Sequence, residues 1–220
     1  MTYLSWVALY EGRTDAVYFD VLLPRLMDEI TRLEGVGPVT VPQAPALRLT
    51  VGRGVEAVTA ELCRNMESYH VIFIHADTGG RGLEAGSDAR GPAYCRQAQA
   101  TFGWPAERCV LVAPRHETEA WVLADAEAVM MAFGVSGEPH RHGLPADAAA
   151  AEALADPKTV LAGVAASLGR RGRRREPSAF FARVAQDQRL DALRGSRSFR
   201  AFETELRRAL ISLGCLPRRG

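Results

Sequence analysis

Leu4-Ser5-Trp6-Val7-Ala8-Leu9-Tyr10, followed at once by Glu11-Gly12-Arg13-Thr14-Asp15, is the stretch whose reading decides the fold. A run this apolar reads as a strand. The carboxylate at its end, the glycine and the second acid opening a helix are how an α/β protein presents charge at a sheet edge. Two later stretches repeat the pattern. Val71-Ile72-Phe73-Ile74 ends in His75-Ala76-Asp77, and Cys109-Val110-Leu111-Val112 leads into Arg115-His116-Glu117-Thr118-Glu119. Three acid-tipped strands predict one divalent-metal site.

Working outward, the pattern alternates strand and helix. Apolar residues at Val17, Leu22, Leu26 and Ile30 predict a helix from Asp15 to roughly Leu33, with Pro24 expected to kink or split it. A Gly- and Pro-rich loop spans 34–45, with a short strand at Val39–Val41. Leu47–Val51 alternates like a strand, and Gly54–Met66 has helical spacing. The continuous run Val71–Ile74 suits a central parallel strand buried on both faces. The segment from Asp77 to Gly91 holds five glycines and reads as a long functional loop. It matches no phosphate-binding fingerprint. Helices are expected at Pro92–Phe102 and Glu117–Phe133, with Trp121, Val122, Val129 and Met130 inward. Gly134–Pro145 breaks the pattern and divides a 1–134 α/β domain from a helical 135–220 part. Helices there are expected at Ala146–Leu154, Pro157–Leu168, Pro177–Val184 and Phe199–Leu213. The predicted class is α/β, a mostly parallel Rossmann-like sheet flanked by helices, with a helical C-terminal part.

The 220 residues carry a net charge of +1, unevenly spread. From Arg170 to Gly220 there are 14 arginines against five acids, while the preceding 169 residues carry a net −8. The basic part suggests contact with an anionic polymer, foremost through Arg170, Arg171, Arg173, Arg174 and Arg175. The same cluster also suits a solvated linker. No apolar run is long enough to cross a bilayer, and the N-terminus lacks the basic region of a signal peptide. A cytoplasmic protein without membrane contact is expected. Cys63, Cys95, Cys109 and Cys215 follow no metal spacing and read as small core thiols in a reducing compartment.

Function in open α/β sheets collects at the C-terminal ends of the strands, where Glu11, Asp15, His75, Asp77, Glu117 and Glu119 fall. Hard cations such as Mg²⁺ or Mn²⁺ take oxygen ligands there and support in-line phosphoryl displacement. Asp15 equally suits a helix-capping acid, His75 a hydrogen-bonded structural histidine, and Arg13 a phosphate clamp or a carboxylate neutraliser.

Glu11-Gly12-Arg13-Thr14-Asp15 after the first strand, with an aspartate ending a later buried strand, resembles the Toprim (topoisomerase–primase) family. The stretches Glu117 to Asp125, Asp156-Pro157-Lys158 and Ser196-Arg197-Ser198-Phe199 are similar to a group of standalone bacterial Toprim-like proteins often encoded beside an ATPase of the overcoming-lysogenisation-defect (OLD) type. The resemblance implies a Mg²⁺-dependent nuclease in genome or anti-phage defence, with nucleic acid and an ATPase as partners. It implies Glu11 as metal ligand or general base/acid, and Asp15, Asp77, Glu117 and Glu119 as further acids. A homodimer is compatible with it. One departure stands out: the family's Asp-x-Asp is here His75-Ala76-Asp77, and imidazole suits Mn²⁺ or Zn²⁺ better than Mg²⁺. A Toprim-like binding partner with impaired catalysis is therefore the alternative. A haloacid-dehalogenase-type phosphatase fails because His75 occupies the place of its nucleophilic carboxylate.

Overall fold

Four strands lie parallel in one sheet: β2 (Trp6–Tyr10), β4 (Leu47–Thr50), β5 (Val71–His75) and β6 (Cys109–Val112), in the order β4-β2-β5-β6. A separate parallel pair joins β1 (Thr2–Tyr3) to β3 (Val39–Thr40). The computed structural model describes residues 1–50, 54–75, 91–168 and 176–218. Leu9 stands opposite Leu49 on one side and Ile74 on the other. Because side chains alternate across a strand, Trp6, Ala8, Val71, Phe73, Val110 and Val112 enter one core, and Val7, Leu9, Ile72 and Ile74 enter a second. Burial on both faces explains why β2 and β5 read as unbroken apolar runs.

The second core is covered by α2 (Val55–Cys63) and α3 (Gly91–Phe102), through Val58, Leu62, Tyr94 and Ala98. The first is covered by α1 (Arg13–Glu34). Tyr18, Phe19, Leu22, Leu23, Leu26, Met27 and Ile30 make one buried face of α1, each large apolar side chain contributing roughly 1.5–3 kcal/mol. Of the expected kink or split, the split does not occur: α1 runs as one helix through Pro24, which is buried in its middle. Tertiary burial on both sides of the proline outweighs the lost backbone hydrogen bond.

Among the described residues the remaining α-helices are α4 (Thr118–Val122), α5 (Ala126–Phe133), α6 (Ala148–Ala153), α7 (Pro157–Ser167), α8 (Phe181–Asp187), α9 (Leu190–Leu193) and α10 (Arg197–Ser212). The single helix expected over Glu117–Phe133 is therefore two. Asp125 divides them, capping α5 at Ala128 N and receiving Arg189 N, Nε and Nη2 within 3.0 Å. Its burial favours the neutral acid, but these bonds prevail and hold its pKa below the ordinary value.

The two parts read on either side of residue 134 share one hydrophobic cluster, from Trp6 and Phe19 through Trp121 to Phe181, Phe199 and Leu210. Buried polar bonds stitch it together. Tyr18 Oη donates to Gln188 Oε1 at 2.6 Å, Gln188 Nε2 donates to the Trp121 carbonyl at 2.7 Å, and Trp121 Nε1 donates to Ser198 Oγ at 2.8 Å. Glu152 closes the network. Its carboxylate accepts from Ser196 Oγ at 2.6 Å, Arg197 N at 2.8 Å and Ser198 N at 2.9 Å at the start of α10.

The cysteine expectation is overturned for one pair. Cys95 of α3 and Cys109 of β6 form a disulfide, with Cα atoms 5.8 Å apart. The alternation of β6 turns Cys109 toward α3, which lays Cys95 against it. Cys63 and Cys215 are free thiols. The cysteines consequently give no support to a reducing compartment.

Candidate functional site

β2 has β4 on one flank and β5 on the other, so the order in which strands are laid down reverses at the β2–β5 boundary. Open α/β sheets bind ligands in the crevice beyond the strand ends at such a reversal. Here β2 ends in Tyr10, immediately before Glu11, and β5 ends in His75.

Gly12 is the N-cap of α1, and its N–H donates to Asp15 Oδ2 at 2.8 Å. This loop-to-helix bond fixes the turn that carries Glu11. Asp15 is buried, and its second oxygen accepts the Thr118 hydroxyl at 2.7 Å. Thr118 opens α4, just past the end of β6. A threonine hydroxyl has one proton. With that proton given to Asp15, Oγ1 receives the Nε2–H of His75, 3.1 Å away. The imidazole is fully buried, tilted over Phe19 at a ring separation of 4.8 Å, with Nδ1 3.6 Å from Asp15 Oδ2. Asp15, His75 and Thr118 thus lock the ends of β2, β5 and β6 together. Thr118 escaped the sequence reading, because a threonine inside an acidic string looks like any helix opener.

Beside this lock, His116 adopts a left-handed backbone with φ 66°, the only such non-glycine among the described residues. That conformation is costly for most side chains. Glu117 follows in extended conformation as the N-cap of α4. Its carboxylate is ion-paired with Lys158 of α7, so two of the motifs singled out in the sequence meet here. Glu119 is half-buried in the first turn of α4.

Among the described residues no group of three or more His, Cys, Asp and Glu side chains is arranged to hold a metal ion. Asp15 accepts from Gly12 N and Thr118 Oγ1, and His75 Nε2 lies 3.1 Å from Thr118 Oγ1, while Glu11 adjoins Gly12 in the chain and Glu117 and Glu119 flank Thr118. Asp77 and the arginines Arg170, Arg171, Arg173, Arg174 and Arg175 lie outside the described residues, as do Gly79, Gly80 and Gly82. Arg13 is exposed on the first turn of α1.

The positive excess of the C-terminal part is mostly compensated where it is described. Arg194 pairs with Glu29 at 2.6 Å, Asp191 at 2.6 Å and Glu203 at 2.9 Å. Arg207 pairs with Glu34 at 2.6 Å and Glu203 at 3.1 Å. Arg183, Arg189 and Arg208 each hold a carboxylate as well. Acids from α1 and from α10 itself absorb charge that a linear count assigns to a partner. Compared with family models, with curated proteins and with solved structures, the chain shows no match. No helix among the described residues is long and apolar enough to cross a membrane.

Proposed function

We propose that the edge beyond β2, β5 and β6 is the reactive centre of a Toprim-type, divalent-metal-dependent nuclease acting on nucleic-acid phosphodiesters. The observation that carries this reading is the strand-order reversal between β2 and β5. Glu11 follows the first of these strands, and Asp77 comes two residues after His75, which ends the second. Mg²⁺ often takes only one or two protein carboxylates, with water and substrate oxygens completing its shell. The donors proposed are one or two of Glu11, Glu117 and Glu119, which form no three-ligand group, with Asp77 added on its sequence position alone. Asp15 and His75 fit less well, being consumed by the lock. When bound, such an ion lowers the pKa of a water and neutralises phosphoryl charge.

The chain's own residues then have separable tasks. Asp15 holds the Glu11–Gly12 turn through the Gly12 N–H. Thr118 and His75 hold Asp15. Lys158 orients Glu117, and Arg13 meets a phosphate oxygen pair through its guanidinium fork. The setting that suits this activity is the bacterial cytoplasm, in genome or anti-phage defence. Incubation of the protein with plasmid and with single-stranded DNA, in Mg²⁺ or Mn²⁺, tests it against Glu11→Ala and Asp77→Ala. Cleavage lost in both variants supports the reading, and equal cleavage by all three proteins rejects it.

One observation favours a second reading. The histidine standing where the Toprim pattern has an acid is wholly buried and hydrogen-bonded, as suits a site that has exchanged catalysis for rigidity. The protein would then bind DNA or an ATPase without cleaving. Its signature is a stable complex with an ATPase encoded beside it, and no metal-dependent cleavage by the protein alone.

A further inference from the structure

A cleft of about 610 Å³ opens between α1 and β4, next to the candidate centre, because Tyr10 and Gly12 on either side of Glu11 both line it. Its wall is split by chemistry. Val17, Ala16 and Ala182 give it an aliphatic side, Arg13 and Arg48 bring two guanidinium groups, and Asp20 brings a carboxylate. Arg13 is exposed. Arg48, half of whose side chain is exposed, is pinned by an ion pair to Asp20, and Asp20 Oδ1 accepts the Tyr10 hydroxyl at 2.7 Å. Burial and the charge of Asp20 push the Tyr10 phenol well above its usual pKa, so it stays a donor that holds Asp20, which holds Arg48. An exposed cation, a second cation half open to solvent and held by a single carboxylate, and an aliphatic side are complementary to an anion carrying a flat apolar body.

We propose that this cleft is a mononucleotide subsite: it seats one unpaired nucleotide, phosphate toward Arg13 and Arg48 and base over Val17 and Ala182. The inference rests on the nuclease reading for the identity of its occupant, the nucleotide adjoining the scissile phosphate. A volume within the small-ligand range of roughly 300–1,000 Å³ admits a nucleotide and not a base-paired segment. The strand therefore enters single or frayed. Tyr10 is almost completely buried, so no exposed aromatic ring stacks on the base. Aliphatic contact accepts any base, and the subsite reads phosphate and shape rather than sequence.

Isothermal titration in EDTA, with AMP and with inorganic phosphate, separates the arms. AMP is expected to bind about tenfold more tightly than inorganic phosphate, and Arg13→Gln and Val17→Glu each to weaken AMP by about tenfold or more. Both positions are exposed, so the folds of these variants are checked by circular dichroism, and either one alone suffices as a test. A fluorescein-labelled oligothymidylate is expected to bind more tightly as a single strand than in duplex with oligoadenylate. Equal affinity for AMP and phosphate, no AMP binding, or wild-type affinity in the folded variants overturns the subsite. Glu11-dependent cleavage without AMP binding rejects the subsite alone, whereas AMP binding without Glu11-dependent cleavage rejects the nuclease alone.

Discussion

Thr118 Oγ1 donates to Asp15 Oδ1 at 2.7 Å across 103 positions of chain, and the same oxygen stands 3.1 Å from His75 Nε2. One hydroxyl therefore couples the helix that follows the first central strand to the ends of the other two. Replacing it with the nearly isosteric Thr118→Val leaves a buried carboxylate oxygen and a buried imidazole without that partner. The expected cost is about 1–3 kcal/mol, read from urea unfolding midpoints, with Thr118→Ser close to wild type. If Thr118→Val matches wild type in both stability and cleavage, the lock has no role.

Glu152 predicts acid sensitivity. Burial alone would raise its pKa, but the hydroxyls of Ser196 and Ser198 and the N–H groups of Ser198 and Arg197 outweigh burial and hold it below the ordinary value. A carboxylate with a depressed folded-state pKa contributes stability in full above its unfolded pKa, about 4.3 for glutamate. That contribution is lost as pH falls through the folded value. Glu152→Gln should therefore flatten the acid limb of a stability-versus-pH curve while lowering stability at neutral pH. An unchanged acid limb in the variant contradicts the assignment.

The Cys95–Cys109 disulfide has a thiol count as its check. Denatured, unreduced protein should react with two equivalents of a thiol reagent, from Cys63 and Cys215, and reduced protein with four. With a sequence separation of 14, the cross-link is worth about 3 kcal/mol on chain-entropy grounds. Cys95→Ser should lower stability by an amount of that order under oxidising conditions and by much less with reductant present.

Arg207 distinguishes structural from polymer-binding arginines. Its pairs with Glu34 and Glu203 are partly exposed, so Arg207→Ala should cost no more than about 1 kcal/mol. It should also leave the salt dependence of nucleic-acid binding unchanged, because its guanidinium is held by two carboxylates and mostly covered, unlike that of Arg48, which has one carboxylate partner and is half exposed. A shallower salt slope in the variant would place Arg207 on the nucleic acid.

The two central strands were legible because residues buried on both faces leave continuous runs, Trp6–Tyr10 and Val71–Ile74, and the edge strand Leu47–Thr50 because its side chains alternate between cover and solvent. Partnerships across the chain were not. Thr118 becomes visible only when β6 is laid beside β5. Glu29 and Glu34 sit 165 and 173 positions from the arginines they neutralise, so a running charge count made the C-terminal part look more available to polymers than its described portion is. Pro24 carried a local signal, but it does not split α1, whose buried face runs past it on both sides. Asp125 sits inside a pattern with helical period, and its role as a break depends on Arg189, 64 positions on. Glu11, Asp15 and His75 were legible as strand-end groups, but not that Asp15 and His75 face inward to each other.

The hydrophobic cluster that continues past residue 134 governs how the protein can be dissected. Severing the chain there would leave Tyr18 and Trp121 facing water where Phe181, Gln188, Phe199 and Phe202 now cover them. An N-terminal fragment should aggregate rather than retain a weakened activity, and complementation by adding back the C-terminal helices would have to rebuild the interior itself.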